Sequence, residues 1–130
     1  MKKRIVTHRD LEVFQKAFES SMEIFELSKS FPKEEVYSLT DQLRRSSRSV
    51  CANLAEGWRK RRYRNAFIQK ITECEGEAAE TQVWLEYSVK CGYLARDSGV
   101  KLYRIYDEIL RTFVGMVNHP KSWLLPGKKD

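Results

Sequence analysis

Apolar residues recur at intervals of three and four along most of this chain. In its first segment they fall at Leu11, Phe14, Phe18, Met22 and Phe25. An α-helix turns once in about 3.6 residues, so this spacing puts these side chains on one side of a helix. No segment alternates apolar and polar residues for long enough to predict a β-strand. The pattern therefore predicts an all-α protein.

Three breaks divide the periodic pattern into four helices. Pro32 marks the first break, because proline cannot continue a helix that precedes it. The predicted helices span residues of about 10–29, 38–56, 65–91 and 97–117, and an irregular tail covers 119–130. Trp123 to Leu125 of this tail are expected to dock on the bundle or on a neighbouring subunit. A chain of 130 residues has the length of one domain, for which we predict an antiparallel up-down four-helix bundle.

The predicted helix ends depend on a few capping residues. Asp10 and Ser38 are interpreted as N-caps of the first two helices, because short polar side chains accept hydrogen bonds from free backbone N–H groups. Gly57 is expected to adopt the left-handed conformation just after the second helix, and Gly92 to end the third. Trp58 is expected to lie in the core, where it closes one end of the bundle.

Basic residues are concentrated between residues 41 and 70. Nine Lys or Arg residues against Asp41 and Glu56 give this segment a formal charge of +7, more than the +6 of the whole chain. Arginine predominates, and its guanidinium group can hold two phosphate oxygens at once. The candidate nucleic-acid-binding residues are Arg44, Arg45, Arg48, Arg59, Lys60, Arg61, Arg62, Arg64 and Lys70, with Tyr63 as a candidate for stacking on a base.

This basic segment is open to three interpretations. On an ideal helix, Arg44, Arg45 and Arg48 point away from the apolar side, so they are expected to face away from the core. They can form a solvated surface with ion pairs of little energetic weight, for which the acidic run from Glu73 to Glu86 offers partners. They can instead bind nucleic acid, or they can dock an acidic protein partner.

Small residues cluster on the second and third helices. Gly76 lies inside the third helix, where glycine costs about 1 kcal/mol relative to alanine. We expect a close approach of two helices to compensate for this cost. The approach can occur within the bundle or between subunits.

Residues suited to catalysis are scarce. The two histidines, His8 and His119, lie near the chain ends and outside any motif. The sequence also lacks the Glu-x-x-His motif of metal sites in helix bundles, a phosphate-binding glycine loop and a nucleophile elbow. We therefore expect no enzymatic activity, no metal site and no cofactor. Three widely spaced cysteines, and the lack of a targeting or membrane-spanning segment, favour the cytoplasm and no membrane partner.

Two segments carry a resemblance to a known family. "YSLTDQLRRSSRSVCANLAEGW" resembles a segment of the four-helix-bundle proteins encoded in 23S rRNA intervening sequences, also described as S23 ribosomal-like proteins. "CEGEAAETQVWLEYSVKCGYL" is similar to the third helix of the same family. The resemblance extends over residues of about 10 to 118. The matching motif residues are Asn53, Ala55, Glu56 and Gly57, together with Gly76 and Glu80.

The resemblance implies a function and an assembly. It implies a closed homopentamer, and kinship with the accessory variability protein of diversity-generating retroelements, which binds nucleic acid and a reverse transcriptase. We therefore predict a non-enzymatic, basic, oligomeric protein that binds RNA or DNA, as an rRNA intervening-sequence protein or as a reverse-transcriptase accessory factor. The basic run at residues 59–64 departs from the shorter polar connection of many relatives, which favours the retroelement or RNA-binding branch. The alternative is a scaffold whose basic face docks an acidic protein.

Overall fold

A computed structural model describes residues 4–126, and in this part of the chain it contains four α-helices and no strand. The all-α prediction with four helices is therefore confirmed. The helices are α1 (Glu12–Ser28), α2 (Leu39–Arg59), α3 (Arg64–Lys90) and α4 (Arg96–Asn118). Short 3-10 helices lie at His8–Asp10, Lys33–Glu35 and Pro120–Ser122.

Consecutive helices run antiparallel, as contacts between α2 and α3 illustrate. The Thr81 hydroxyl donates to the Ser46 hydroxyl at 2.9 Å, and both side chains are fully buried. Further along, the Cys74 thiol donates to the Val50 carbonyl at 3.7 Å. Rising residue numbers on α2 thus meet falling numbers on α3. Small side chains at this contact allow the two helices to lie close together.

The core lies between the four helices, and an aromatic side chain covers one end of it. Phe67, Tyr106 and Phe113 are fully buried in it. Trp58, near the end of α2, is only 7% exposed, so its predicted place in the core is confirmed. Burial of such large apolar side chains is the main stabilising contribution to the fold.

The predicted N-cap of α1 is wrong, because Asp10 caps a different element. Its carboxylate accepts hydrogen bonds from the backbone N–H groups of Val6 and Thr7, at 2.8 and 3.0 Å. The bond from Thr7 belongs to a capping box around the 3-10 helix at His8–Asp10, and Leu11 occupies the N-cap position of α1. Asp10 therefore belongs to the 3-10 helix that precedes α1, and not to the start of α1.

Ser38 occupies the predicted N-cap position of α2 without capping it through its side chain. The Ser38 side chain accepts no hydrogen bond from the free backbone N–H groups of the helix. The Ser38 hydroxyl instead donates to the Glu35 carboxylate at 2.6 Å. The same carboxylate accepts a hydrogen bond from the Leu39 N–H at 3.4 Å, so Glu35, and not Ser38, reaches the first free N–H group of α2.

The predicted left-handed cap at Gly57 is also wrong. The helix continues to Arg59, and Gly57 is buried within it. A Cβ atom built on Gly57 would lie 3.2 Å from both Ile71 Cδ1 and Lys70 Cβ, so glycine here permits the close approach of α3. Within residues 4–126 the single residue with positive φ is Gly92, at 79°.

Gly92 ends α3 as predicted. The Gly92 N–H donates to the Val89 carbonyl at 3.0 Å, and the Tyr93 N–H donates to the Ser88 carbonyl at 2.9 Å. This pair of bonds is a Schellman motif, which requires the left-handed conformation that glycine adopts most readily.

The part of the tail up to residue 126 docks on the bundle. Trp123 and Leu124 pack against the core, and the Leu125 N–H donates to the Arg61 carbonyl at 3.2 Å. The rest of the predicted tail, residues 127–130, lies outside the described residues. No helix between residues 4 and 126 is long and apolar enough to cross a membrane.

Candidate nucleic-acid interface

The outer side of α2 carries a cavity of about 360 Å³ whose lining includes Arg44, Arg45 and Arg48. These residues share one side because positions three and four apart are neighbours on a helix. Thr40 and Ser49 contribute hydroxyl groups to the same lining, and the lining also contains Asp41. We call this concave surface the α2 cavity.

Arg44 and Arg48 lean towards α1. Arg44 Nε donates to Ser28 Oγ at 2.8 Å, and its guanidinium carbon lies 4.8 Å from the centre of the Phe25 ring. The Arg48 guanidinium lies 5.7 Å from the same ring and makes no ion pair within residues 4–126. Arg44 is thus half-buried and held in place on the outer side of α2, whereas Arg48 is exposed and loosely held.

Arg45 leans the other way, towards α3. Its guanidinium lies 3.4 Å from Gln42 Oε1 and 3.8 Å from Glu80 Oε1, both of which are long contacts. The side chain is 56% exposed. Contacts of this length in water contribute little energy, so Arg45 can turn towards a ligand.

The turn between α2 and α3 carries a group of exposed residues that we call the turn patch: Arg59, Lys60, Arg62 and Tyr63. Within residues 4–126 the three basic side chains make no hydrogen bond or ion pair. Tyr63 is 59% exposed, so its side chain is accessible to a stacking partner. The turn patch therefore offers charge and an aromatic ring that no internal contact uses.

Arg61, in the same turn, has a structural role. Its Nε donates to the Trp58 carbonyl at 2.8 Å, and its guanidinium lies 3.4 Å from the centre of the Trp58 ring. A second donor reaches the Trp123 carbonyl at 3.4 Å. Burial, together with the nearby charge of Arg59, lowers the pKa of Arg61. Arg61 thus fastens the tail to the end of the bundle, and the candidate surface does not include it.

Lys70 is also engaged inside the protein. Its ammonium group lies 2.9 Å from Glu73 and 3.0 Å from Glu56, and it donates to Asn53 Oδ1 at 3.2 Å. The side chain is only 20% exposed. The hydrogen bonds to Glu73 and Glu56 raise the pKa of Lys70. The positive charge of Lys70 is therefore compensated by these two glutamates.

These contacts give a physical account of most of the Asn53–Gly57 motif. Asn53 and Glu56 hold Lys70 of α3, and Gly57 lets the backbone of α2 approach that residue and Ile71. Ala55 is half-buried. The motif therefore joins α2 to α3.

The other two motif residues differ from each other. Glu80 accepts a hydrogen bond from Trp84 Nε1 at 3.2 Å and lies near Arg45. Gly76 is exposed, and a Cβ atom there would meet nothing within 4 Å. The close approach predicted at Gly76 is therefore not found within the bundle, and a contact between subunits stays a prediction.

Arg64 and a second cavity complete the basic end of the molecule. Arg64 is half-buried at the first position of α3. It lines a cavity of about 250 Å³ together with His119 and Lys121 from the end of α4 and the 3-10 helix that follows. The sequence did not indicate this proximity, because the tail residues reach the turn only through the fold.

The described residues also bear on the chemistry expected from the sequence. Between residues 4 and 126, no three His, Cys, Asp or Glu side chains are grouped so that they could hold a metal ion. The arrangement can bind anions through arginine and lysine.

The chain is similar to proteins named after ribosomal RNA. Residues 9–115 match the family of the 23S rRNA-intervening sequence protein. The crystal structure of a protein of unknown function from the S23 ribosomal protein family of Bacteroides thetaiotaomicron superposes with a TM-score of 0.73 and 26% identity, covering 81% of this chain and 97% of that one. No curated protein matches the chain significantly. Because the family match covers most of its length, the chain belongs to the 23S rRNA-intervening sequence protein family.

Proposed function

We propose that this protein binds nucleic acid without catalysing a reaction, through the turn patch and the α2 cavity. The observation that carries the proposal is the unpaired state of Arg59, Lys60 and Arg62 within residues 4–126. Three neighbouring cations without acidic partners attract a polyanion, and each phosphate contact that they make releases a counterion.

Ideal helix geometry points Arg48 of the α2 cavity and Arg59 of the turn patch in nearly the same direction. Arg48 and Arg59 are eleven residues apart on one helix. At 100° and 1.5 Å per residue they differ by about 20° in direction and by about 16 Å along the axis. Ala52 and half-buried Ala55 lie between them, so small uncharged side chains separate the surfaces. One strand of a duplex, with a phosphate about every 3.4 Å along the axis, would span this distance with about five phosphates.

The proposal predicts binding with little sequence preference. Phosphate contacts position a protein on nucleic acid but carry no sequence information. The surface presents arginine, lysine and one exposed tyrosine, which suits phosphate contact and base stacking.

A titration with a charge-reversed turn patch tests this function. The variant is Arg59→Glu, Lys60→Glu and Arg62→Glu, which leaves Arg61 to hold the tail. Its matched control reverses three exposed arginines of α4: Arg96, Arg104 and Arg111. With fluorescently labelled structured RNA and duplex DNA, the turn variant should lose about tenfold or more in affinity. The α4 variant should lose much less, although its net charge is the same.

Two outcomes would contradict the proposal. One is equal affinities of the two variants. The other is a wild-type protein that binds neither nucleic acid at low salt, which would favour the scaffold that docks an acidic protein. Circular dichroism of each variant checks that the helices are intact.

We also infer that the protein assembles into a homopentamer, as the family resemblance implies. Exposed apolar side chains such as Phe18, Met22 and Val83 support an oligomer, because they would leave water in an interface. A ring of five copies would repeat the basic surfaces and the net charge of +6 five times, so that one strand contacts several subunits. Light scattering that gives the protomer mass of 15.3 kDa across micromolar concentrations would contradict the assembly. A reverse transcriptase as partner stays a prediction.

A further inference from the structure

We propose that the α2 cavity binds a terminal phosphate of a nucleic-acid strand, that is, a phosphate monoester at the 5′ or the 3′ end. This inference rests on the proposed function and adds a division of labour to it. The turn patch binds the strand, and the α2 cavity recognises its phosphorylated end.

The first argument is charge. Three arginines and Asp41 line the cavity, which leaves a formal charge of +2. A terminal phosphate monoester carries about −1.5 to −2 at neutral pH, whereas a phosphodiester inside a strand carries one negative charge. The cavity therefore matches a terminal phosphate better than an internal one.

The second argument is the state of the donors. Arg44 is held by Ser28 and by the Phe25 ring, so one guanidinium is fixed at the wall. Arg45 is held only by long contacts, and Arg48 only by the Phe25 ring. Both side chains can therefore turn inward without losing a strong partner. A fixed arginine with two movable ones can surround a phosphate, whose oxygens pair well with guanidinium groups.

The third argument is an unsatisfied hydroxyl. Thr40 lines the cavity, is only 5% exposed, and its Oγ1 atom has no hydrogen-bond partner. Buried polar groups are nearly always hydrogen-bonded, so this hydroxyl lacks an acceptor. Water does not reach the atom, so the side chain would have to rotate to bring its hydroxyl to an acceptor in the cavity. A phosphate oxygen would be such an acceptor.

The size of the cavity agrees with this ligand. A volume of about 360 Å³ lies at the lower end of the range for small-ligand sites. It admits a phosphate with its sugar, and the small side chain of Ala52 at the lining leaves room for the strand to continue towards Arg59.

The test compares RNA oligonucleotides of one sequence that carry a 5′-phosphate, a 3′-phosphate or hydroxyl groups at both ends. Wild-type protein should bind at least one phosphorylated form about three- to tenfold more tightly than the hydroxyl form, because a further charge is held by arginine. The cavity variant Arg45→Gln with Arg48→Gln should lose this ratio. The matched variant Arg59→Gln with Arg62→Gln should bind all forms more weakly and keep the ratio.

Two further arms sharpen the result. Thr40→Val removes the unpaired hydroxyl with little change in shape, so it should reduce the ratio without lowering the melting temperature. Inorganic pyrophosphate at matched ionic strength should abolish the ratio, because it competes for the cavity.

The outcomes separate this inference from the proposed function. If wild type binds all three oligonucleotides equally well, the terminal-phosphate site is refuted and nucleic-acid binding stands. A ratio that survives in the cavity variant, or in pyrophosphate, also refutes the site. If wild type binds none of the oligonucleotides, both proposals fail.

Discussion

Two regions of the molecule carry opposite charges: α2 with the turn that follows it is basic on its outer side, and α3 is acidic. The two regions differ in how many of their charged side chains are paired within the protein. On α3, Glu73 pairs with Lys70, and Glu80 accepts from Trp84. In the turn patch, Arg59 and Arg62 have no partner within residues 4–126. Part of the acidic run on α3 is thus paired within the protein, whereas most of the basic side chains on α2 and its turn are free to contact a ligand.

This difference shows that a count of charges overstates the binding surface. The segment from 41 to 70 has a formal charge of +7, but it includes Lys70 and Arg61. Lys70 is neutralised by two glutamates, and Arg61 binds two backbone carbonyls. The charge available to a ligand is the part that the fold leaves unpaired.

The largest expected effect is the dependence of RNA affinity on salt. Six basic residues of the two surfaces can reach phosphate: Arg44, Arg45, Arg48, Arg59, Lys60 and Arg62. Each neutralised phosphate contributes a slope of about 0.7 to 0.9, so the logarithm of affinity should fall with the logarithm of salt with a slope of about −4 to −5 per protomer. Titrations between about 50 and 200 mM salt measure this slope. A slope near −1 would show that most of these side chains make no phosphate contact.

The next effect is the change in stability when the glycine of α2, Gly57, or that of α3, Gly76, is replaced by alanine. Gly57→Ala should lower the free energy of unfolding by about 1 kcal/mol. The added methyl group crowds Ile71 and Lys70, and the energetic cost of this crowding exceeds the gain in helix propensity. Gly76→Ala should raise it by up to about 1 kcal/mol, because nothing lies within 4 Å of the new atom. Urea denaturation measures both. If Gly76→Ala instead disrupts assembly, Gly76 lies in a contact between subunits.

A smaller effect distinguishes a paired from an unpaired cation. Lys70→Met removes a charge that Glu56 and Glu73 already neutralise, so RNA affinity should change by less than about twofold. Arg62→Met removes an unpaired charge of the turn patch, so affinity should fall by about threefold or more. The same fluorescence titration measures both variants. Equal losses would mean that Lys70 leaves its glutamates to bind RNA.

The smallest effect concerns Glu77, which lies half-buried on α3. Burial, and then the charge of Glu80, raise the pKa of Glu77 above its ordinary value of 4.5. Its protonated form therefore stabilises the fold below that value, and this contribution is lost as pH rises through the raised pKa. Glu77→Gln should consequently raise the melting temperature slightly at pH 7 and not at about pH 4. Thermal melts at the two pH values measure the difference, and a lower melting temperature at pH 7 would contradict it.

The helices were predictable from the sequence, and several of their ends were not. Apolar periodicity and Pro32 indicate the helices and the first break, because both act locally. Gly57 was misassigned because glycine serves equally for a left-handed cap and for a close helix approach, and only the position of Ile71 distinguishes the two. Asp10 was misassigned because a separate short helix precedes α1.

The candidate site was predictable as a segment but not residue by residue. The sequence indicates where the arginines are concentrated. It does not indicate that Arg61 binds the Trp123 carbonyl, since those residues meet only when the tail folds back. The same applies to Lys121, which reaches the cavity beside Arg64 from the far end of the chain.

Footprinting of arginine side chains with a dicarbonyl reagent, read by mass spectrometry with and without RNA, tests the central claim most directly. The claim is that RNA contacts the basic side chains that the fold leaves unpaired or holds only by long contacts on α2 and its turn. Arg45, Arg48, Arg59 and Arg62 should be protected by RNA, and the exposed α4 residues Arg104 and Arg111 should react equally in both samples. Protection confined to α4, or equal reactivity of all six arginines with and without saturating RNA, would contradict the account.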